Sequence, residues 1–549
     1  MLSGLQRAMA RWEQRVGSWP AARVVWGLAG VFCVWIVLDV FVLQITSGMS
    51  HATFDAMVRA RVRVAPPDPR VVIIDIDEPT LQRMAPEFGR WPWPRDTLAS
   101  VLDYLERQQP AAIVWDILFS DADRISPGGD AAFNAAVSRS RHSHFPVARL
   151  SADTDAQSAI SRTVLPTLWA AEPVPAPSAH AATVAVIAPA LPAIAAARLG
   201  YNNGYVDADG VLRHTRALET LADGSRIQSI ALATLATVDP AAYRRRLAQL
   251  PVNAAPTGEL IAWRGKPSAY PRVAFADVFQ VADGGKAPAG LPDFAGKVIV
   301  IGSTAASLHD VHPTALAAEH PGVDALATVL DNELNQRHIA ELPRWLHALL
   351  AVALCLLLAY WVQRRKLASL AVPTLVLPGV LLFISYLTLN GAPVFVDLKL
   401  SAALALLYLA ALRYWTGLRR AYWCSYQPGR DLALWPLQRQ QPWLEGPLDH
   451  LVDLLERHAP DCRVIVPDLS SRVFQKLRWP ELGQYAAVVG PVASLQALQA
   501  ATHKSRRSLA APQAALVPLQ EGLGRAELAR MAQQIWSKLE STENKGSPS

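Results

Sequence analysis

The chain has 549 residues, more than one ordinary domain uses, so two or three domains are expected. Hydrophobic residues make up 51% and charged residues 18%, too apolar for a wholly soluble protein, and the apolar residues cluster as membrane spans do. The net charge of +6 lies largely beside those apolar runs, and no compact Lys/Arg run interleaves with aromatics, which argues against nucleic-acid binding.

Residues 1–23 carry Arg7, Arg11, Arg15 and Arg23 against Glu13. Residues 24–46 then form an apolar run long enough to cross a bilayer. The run is too long for the core of a signal peptide, and no small-residue cleavage site follows, so it reads as an uncleaved anchor with a cytoplasmic N-terminus. A basic helix is predicted over 51–64, ended by Ala65, Pro66 and Pro67. Residues 71–74 are apolar and β-branched, as in a buried parallel strand, and the strand runs into Asp75 and Asp77. RWPWPRD follows and fits neither mid-helix nor mid-sheet. Residues 95–109 show helical spacing at Leu98, Val101, Leu102 and Leu105, and 112–119 form a second buried strand that contains Asp116. A helix at 131–140 and an Ala/Pro-rich stretch at 150–197 come next. Strands are predicted at 183–187, 212–219, 259–264 and 297–301, with a helix at 227–237. The pattern is α/β with a largely parallel sheet.

Three further apolar runs, 343–362, 370–389 and 398–417, follow closely. Pro373 and Pro378 predict a kink in the second of these. Basic residues Arg364, Arg365, Lys366, Arg413, Arg419 and Arg420 flank two of the ends, whereas NGAPVFVD between the last two runs has no Lys or Arg. The positive-inside rule then gives four transmembrane α-helices, both termini cytoplasmic and 47–342 outside. The tail, 418–549, shows strands at 463–466, 485–489 and 514–517, each followed by a helical pattern (470–477, 494–502, 525–539). It reads as a small α/β open-sheet domain of doubly wound type. Of the four cysteines, Cys33 and Cys355 lie in apolar runs and Cys424 and Cys462 in the tail, so the 47–342 domain has no disulfide and is expected to be held by its own core.

DIDEPTL, WPWPRD and AAIVWDILFSD, in that order, resemble the start of the type-two CHASE domain, the extracellular sensor found on bacterial cyclases and kinases. GYVDADGVLRHT (204–215) is similar to its central DxDGxxR segment, FAGKVIVIGSTAASLHDVHPT (294–314) to its last strand and loop, and PGVDALATVLDNEL (321–334) to its closing helix. The resemblance implies an α/β periplasmic sensor domain, with one span before it and three after it. The tail resembles nothing recognised.

Acids after parallel strands stand where open α/β sheets bind ligands, so Asp75, Asp77 and Asp116 are candidate ligand residues, with Arg95 within reach of them and Asp310 beyond the last strand. The competing reading, and the favoured one, is an acid–arginine network that pins the crossover loop. Asp207 and Asp209 fit a tight turn or a cation loop, and the turn is preferred because the remaining ligands of an EF-hand are absent. Asp310 with His312 is too small a set for a metal site, no Cys/His cluster gives zinc, and no cofactor is called for. Within the spans Asp39, Arg344 and His347 are polar; pairing of Asp39 with Arg344 or His347 is weighed equally against snorkelling to the interface. In the tail, His450, His458 and His503 lack the Gly-rich loop of a kinase, and Asp468 lacks the companion acids of a receiver.

The sequence therefore leads us to expect a multi-pass protein of the bacterial inner membrane. It would sense a periplasmic ligand or protein and relay the signal to a non-catalytic cytoplasmic domain that docks a protein partner. A homo-oligomer is compatible with this reading. The alternatives are a transmembrane cyclase, kinase or phosphotransfer enzyme with a divergent tail, and a structural subunit of an envelope complex.

Overall fold

The computed structural model describes residues 2–45, 47–126, 128–171, 183–250, 258–266, 268–365, 370–392, 394–424, 432–438, 445–465, 485–504 and 516–519, with isolated residues from 523 to 535. These fall into two compact units. One comprises Ser47–Leu342 with Ser385–Val396; the other comprises the remaining residues.

In the first unit, hydrophobic strands stack side by side into a seven-stranded sheet. Its order begins Arg272–Ala274, Val71–Ile76, Val298–Ser303, Ala112–Trp115, Ser143–Arg149, and all these neighbours are parallel. Arg198–Tyr201 joins Ser143–Arg149 in parallel, and Val186–Ile187 joins it antiparallel. Register runs from Val71 opposite Val298 to Ile76 opposite Ser303, so the carboxyl ends of the two strands are level.

Alternation along the strands sends side chains to two cores. Val72, Ile74 and Ile76 face one core with Leu98, Val101 and Leu102 of helix Arg95–Arg107 and Phe275 of helix Phe275–Ala282. Val71 and Ile73 face the other, with Ile230 of helix Ile230–Val238 and Leu326 and Leu330 of helix Gly322–Leu334. Helices thus cover both faces, which is why these strands read as continuous apolar runs. Trp115 stacks on Phe145 at 5.9 Å and meets Phe133 edge-on at 5.5 Å, filling the first core.

Several boundaries differ from the sequence reading. Helix Glu78–Phe88 was not anticipated; Asp77 caps it by accepting from the Thr80 N–H at 2.8 Å. The expected strand 212–219 is two strands, Leu212–Thr215 and Leu218–Thr220. The helix expected from 227 begins at Ile230, because Arg226–Gln228 pairs as a strand and Ser229 caps the helix through the Leu232 N–H.

Among the described residues, four helices are long and apolar enough to cross a membrane: Ala21–Leu43, Arg344–Arg364, Val372–Gly391 and Lys399–Trp423. The first ends in a π-helical turn, Asp39–Leu43, and Pro378 lies inside the third. In the second unit, Val25, Ala29 and Ile36 pack with Ala351, Cys355, Tyr408 and Leu412.

The tail sheet corrects the doubly wound expectation. Its order is Arg463–Ile465, Tyr485–Pro491, Leu432–Gln438, Val517–Pro518, and every pairing is antiparallel. Strand Leu432–Gln438 lies in a stretch, ahead of 463–466, where no strand was expected. Pro436, which has no N–H to donate, is tolerated because Val517–Pro518 covers only Ala433 and Leu434. Asp468 and the helix expected at 470–477 lie outside the described residues.

Candidate functional site at the carboxyl edge of the sheet

A cavity of about 280 Å³ opens beside the carboxyl end of strand Ala112–Trp115. Asp116, the residue after that strand, lines it with Asn202, Asp310, His312 and Arg216, and Val147, Ile230, Leu326 and Val329 supply apolar wall. Asp116 can sit there because the neighbouring strand carries Gly302. A Cβ at Gly302 would lie 2.7 Å from Val323 Cγ2 and 3.0 Å from Asp116 Cβ. Asp310 is placed by its backbone, whose carbonyl accepts from the Gly322 N–H at 2.9 Å.

Asn202 Nδ2 donates to Asp116 Oδ1 at 2.7 Å, and His312 Nε2 lies 3.6 Å from Asp310 Oδ1. Burial pushes the Asp116 carboxyl up to about 7; the Asp310 charge adds to this, while His312 and the Asn202 bond oppose it. Its bond to the Asp310 carboxylate raises His312 against its own desolvation.

The other sequence candidates divide among separate networks. Asp75 is buried: Oδ1 accepts from Thr304 N and Oγ1 at 3.0 and 2.9 Å, and Oδ2 from Arg272 Nη1 at 3.0 Å. Arg272 Nη2 also donates to Asp324 Oδ1 at 2.8 Å. Burial raises both carboxyls, and Arg272 offsets part of it. Asp77 is the helix cap described above.

Arg95 does not reach Asp75, Asp77 or Asp116. It opens helix Arg95–Arg107 and turns to the loop after the next strand. Its guanidinium meets Asp130 and the Asp121 carbonyl, and its backbone N–H donates to Asp123 Oδ2 at 2.9 Å. The network that pins the crossover is therefore built from Asp121, Asp123 and Asp130. It leaves Asp116 to the cavity.

Asp207 and Asp209 do form the expected turn: the Gly210 N–H donates to the Asp207 carbonyl at 2.8 Å, with Gly210 at φ +78°. They also surround Arg213, which is 2% exposed. Arg213 donates to Asp207 Oδ2, to both oxygens of Asp209 at 2.8 Å, and to both oxygens of Asp55 at 2.7 Å. His214 lies between Asp207 at 2.9 Å and Glu341 at 3.2 Å. Burial disfavours its charge, but these two acids outweigh it and hold His214 at about 9. Asp209 is lowered to about 2, chiefly by the Arg213 bond.

His51, Asp207 and Asp209 have converging donor atoms, as do Glu259, Glu333 and His338. In each group an arginine already occupies the carboxylates, Arg213 in the first and Arg246 in the second. The chemistry of both groups is ion pairing, with the cation supplied by the chain.

In the second unit Asp39 is 1% exposed, and its Oδ1 accepts from the Ile45 N–H at 3.0 Å. Arg344 is exposed, and among the described residues no ion pair joins it to Asp39. Sequence reasoning missed Asn202, Arg272, Asp324 and Asp55, which come to the site or its supports from distant parts of the chain. Arg213 stood within the quoted DADGVLRHT motif, and only its burial makes it stand out.

No curated protein and no solved structure matches the chain. The family model described as the CHASE2 domain matches residues 30–361, which takes in the whole sheet, the cavity and the Arg213 network. That match covers more than half of the chain, and the protein belongs to the CHASE2 domain family, whose members carry this sensor domain.

Proposed function

We propose that the protein is a bacterial inner-membrane receptor whose CHASE2 unit faces the periplasm, binds a small ligand in the cavity at Asp116 and Asp310, and relays occupancy to the cytoplasmic tail. The observation that carries the reading is where the Arg213–His214 pair reaches. It holds Asp55, in helix Ser47–Arg59 directly after the first apolar helix, and Glu341, directly before the second. Thr215 and Arg216, the next residues along, line the cavity together with His214. A ligand that shifts this segment would change the grip on both chain segments that lead to the apolar helices.

Basic flanks support four passes with both termini in the cytoplasm. The tail acts in this reading as a non-catalytic docking domain for a protein partner. Reporter fusions test the arrangement. A reporter active only in the periplasm is expected to work after Arg264 and to be silent after Arg420. Activity at both positions overturns the topology, and with it the periplasmic sensor.

A further inference from the structure

Among the described residues of the α/β unit, six acidic residues are buried: Asp55, Asp68, Asp75, Asp324, Asp331 and Glu333. Each holds an arginine: Arg213, Arg70, Arg272 (shared by Asp75 and Asp324), Arg264 and Arg246 respectively. The two acids that face the cavity depart from this pattern. Asp116 takes a neutral amide bond from Asn202, and Asp310 has His312 at 3.6 Å; among the described residues no lysine or arginine pairs with either. Both are only partly buried, with His312 as the cationic neighbour of Asp310, so their carboxylate oxygens remain open to a hydrogen-bonding cation brought by a ligand.

We propose that the cavity's ligand supplies it: one protonated amine, seated between Asp116 and Asp310, on an otherwise apolar body. This rests on reading the cavity as the sensor's binding site. A metal ion fits less well. The donor groups that converge within 4.8 Å among the described residues are the two arginine-filled clusters, not Asp116, Asp310 and His312. Size favours an organic ligand, since a cavity of roughly 150 Å³ holds benzene, and this one has about 280 Å³. Val147, Ile230, Leu326 and Val329 provide apolar surface for the body. Arg216 also lines the cavity, its guanidinium laid over the Tyr205 ring at 4.0 Å, so a second ammonium on the ligand would meet like charge.

The test uses the full chain in phospholipid nanodiscs at pH 8, with benzylammonium, benzoate and benzyl alcohol as matched probes in calorimetry. Benzylammonium is expected to bind at least tenfold more tightly than the other two. Asp310→Asn, at a side chain that is 39% exposed and so tolerant of exchange, is expected to remove that preference. Equal binding of the alcohol or the acid, or an unchanged amine affinity in Asp310→Asn, overturns the amine. If such binding is abolished by the cavity-filling Val329→Trp, the cavity stands as a site and only the ligand class falls. If no probe binds and none moves the melting temperature, both readings fall.

Discussion

Arg213 and Asp55 meet in a two-pronged ion pair, Nε to Oδ1 and Nη2 to Oδ2 at 2.7 Å each, although 158 residues separate them in the chain. Such a fork matches a carboxylate in a way that lysine does not. The pair ties the helix that follows the first apolar span to the centre of the CHASE2 motif.

Replacing Arg213 by methionine is expected to destabilise the α/β unit by about 3–5 kcal/mol, because the buried Asp55 loses its forked partner and Asp207 is left with His214 alone of the two. Arg213→Lys should recover only part of this. Thermal melts of the full chain check both. A methionine variant as stable as the parent would mean that solvent already screens these acids.

Asp116 sets a pH dependence. Its carboxyl stands at about 7 against an ordinary 3.8, so between these values the folded chain keeps a proton that the unfolded chain has lost. Stability should therefore fall as pH rises from about 4 to 7 and level off above. His312, raised by Asp310, acts in the same direction: its contribution is present below 6.5 and is lost as pH rises through its higher folded value. Asp116→Asn, still facing Asn202, Asp310 and His312, should show the shallower slope and melt higher than the parent at pH 8. Parallel melting curves from pH 4 to 8 would refute this.

Two glycines beside the cavity should respond differently to alanine. At Gly302 the new Cβ meets Val323 and the Asp116 Cβ, which are packed in place, and overpacking of this kind costs about 1–3 kcal/mol. At Gly322 it meets only the Asp310 carboxylate, at 2.5 Å from each oxygen, and that side chain can swing away. Gly322→Ala should therefore melt close to the parent while weakening benzylammonium binding. Melting and calorimetry on the two variants separate the outcomes.

In the second unit, Arg419 is buried and donates to Asp453 at 3.0 Å and also to Glu456, while Arg420 meets Asp449 at 2.7 Å. These pairs hold helix Glu445–His458 against helix Lys399–Trp423. Arg419→Ala should expose the tail to limited proteolysis at lower protease than the parent needs, with the apolar helices still membrane-inserted. An unchanged digestion pattern would show that the Arg420 pair suffices.

The three central strands of the main sheet, Val71–Ile76, Val298–Ser303 and Ala112–Trp115, were legible because both of their faces are buried and such apolar runs need no partner to be recognised, whereas Ser143–Arg149 and Arg198–Tyr201 were not anticipated. Asp116 was legible for the same reason, as the first acid after such a run. What surrounds it was not. Asn202 comes from beyond the Ala/Pro-rich stretch, and Arg272, which takes Asp75 where Arg95 had been expected, enters on a three-residue edge strand with little hydrophobic signature. Arg95 itself was assigned by proximity in sequence, whereas its rotation at the start of a helix points it to Asp121 and Asp130. The antiparallel tail was missed because its strand Leu432–Gln438 carries a proline that argues against a strand unless the neighbouring strand is short.

The strand pair formed by Ala340–Glu341 and Val394–Phe395 sets a schedule for synthesis. Phe395 meets Phe54 at 5.3 Å within the α/β unit, yet it leaves the ribosome only after helices Arg344–Arg365 and Ala371–Gly391. A nascent chain that has made everything up to Leu342 still lacks the last piece of its sensor. Maturation of that unit is thus timed by delivery of two more apolar helices to the bilayer, and a chain interrupted there is left with an unpaired strand edge for proteases and chaperones to find.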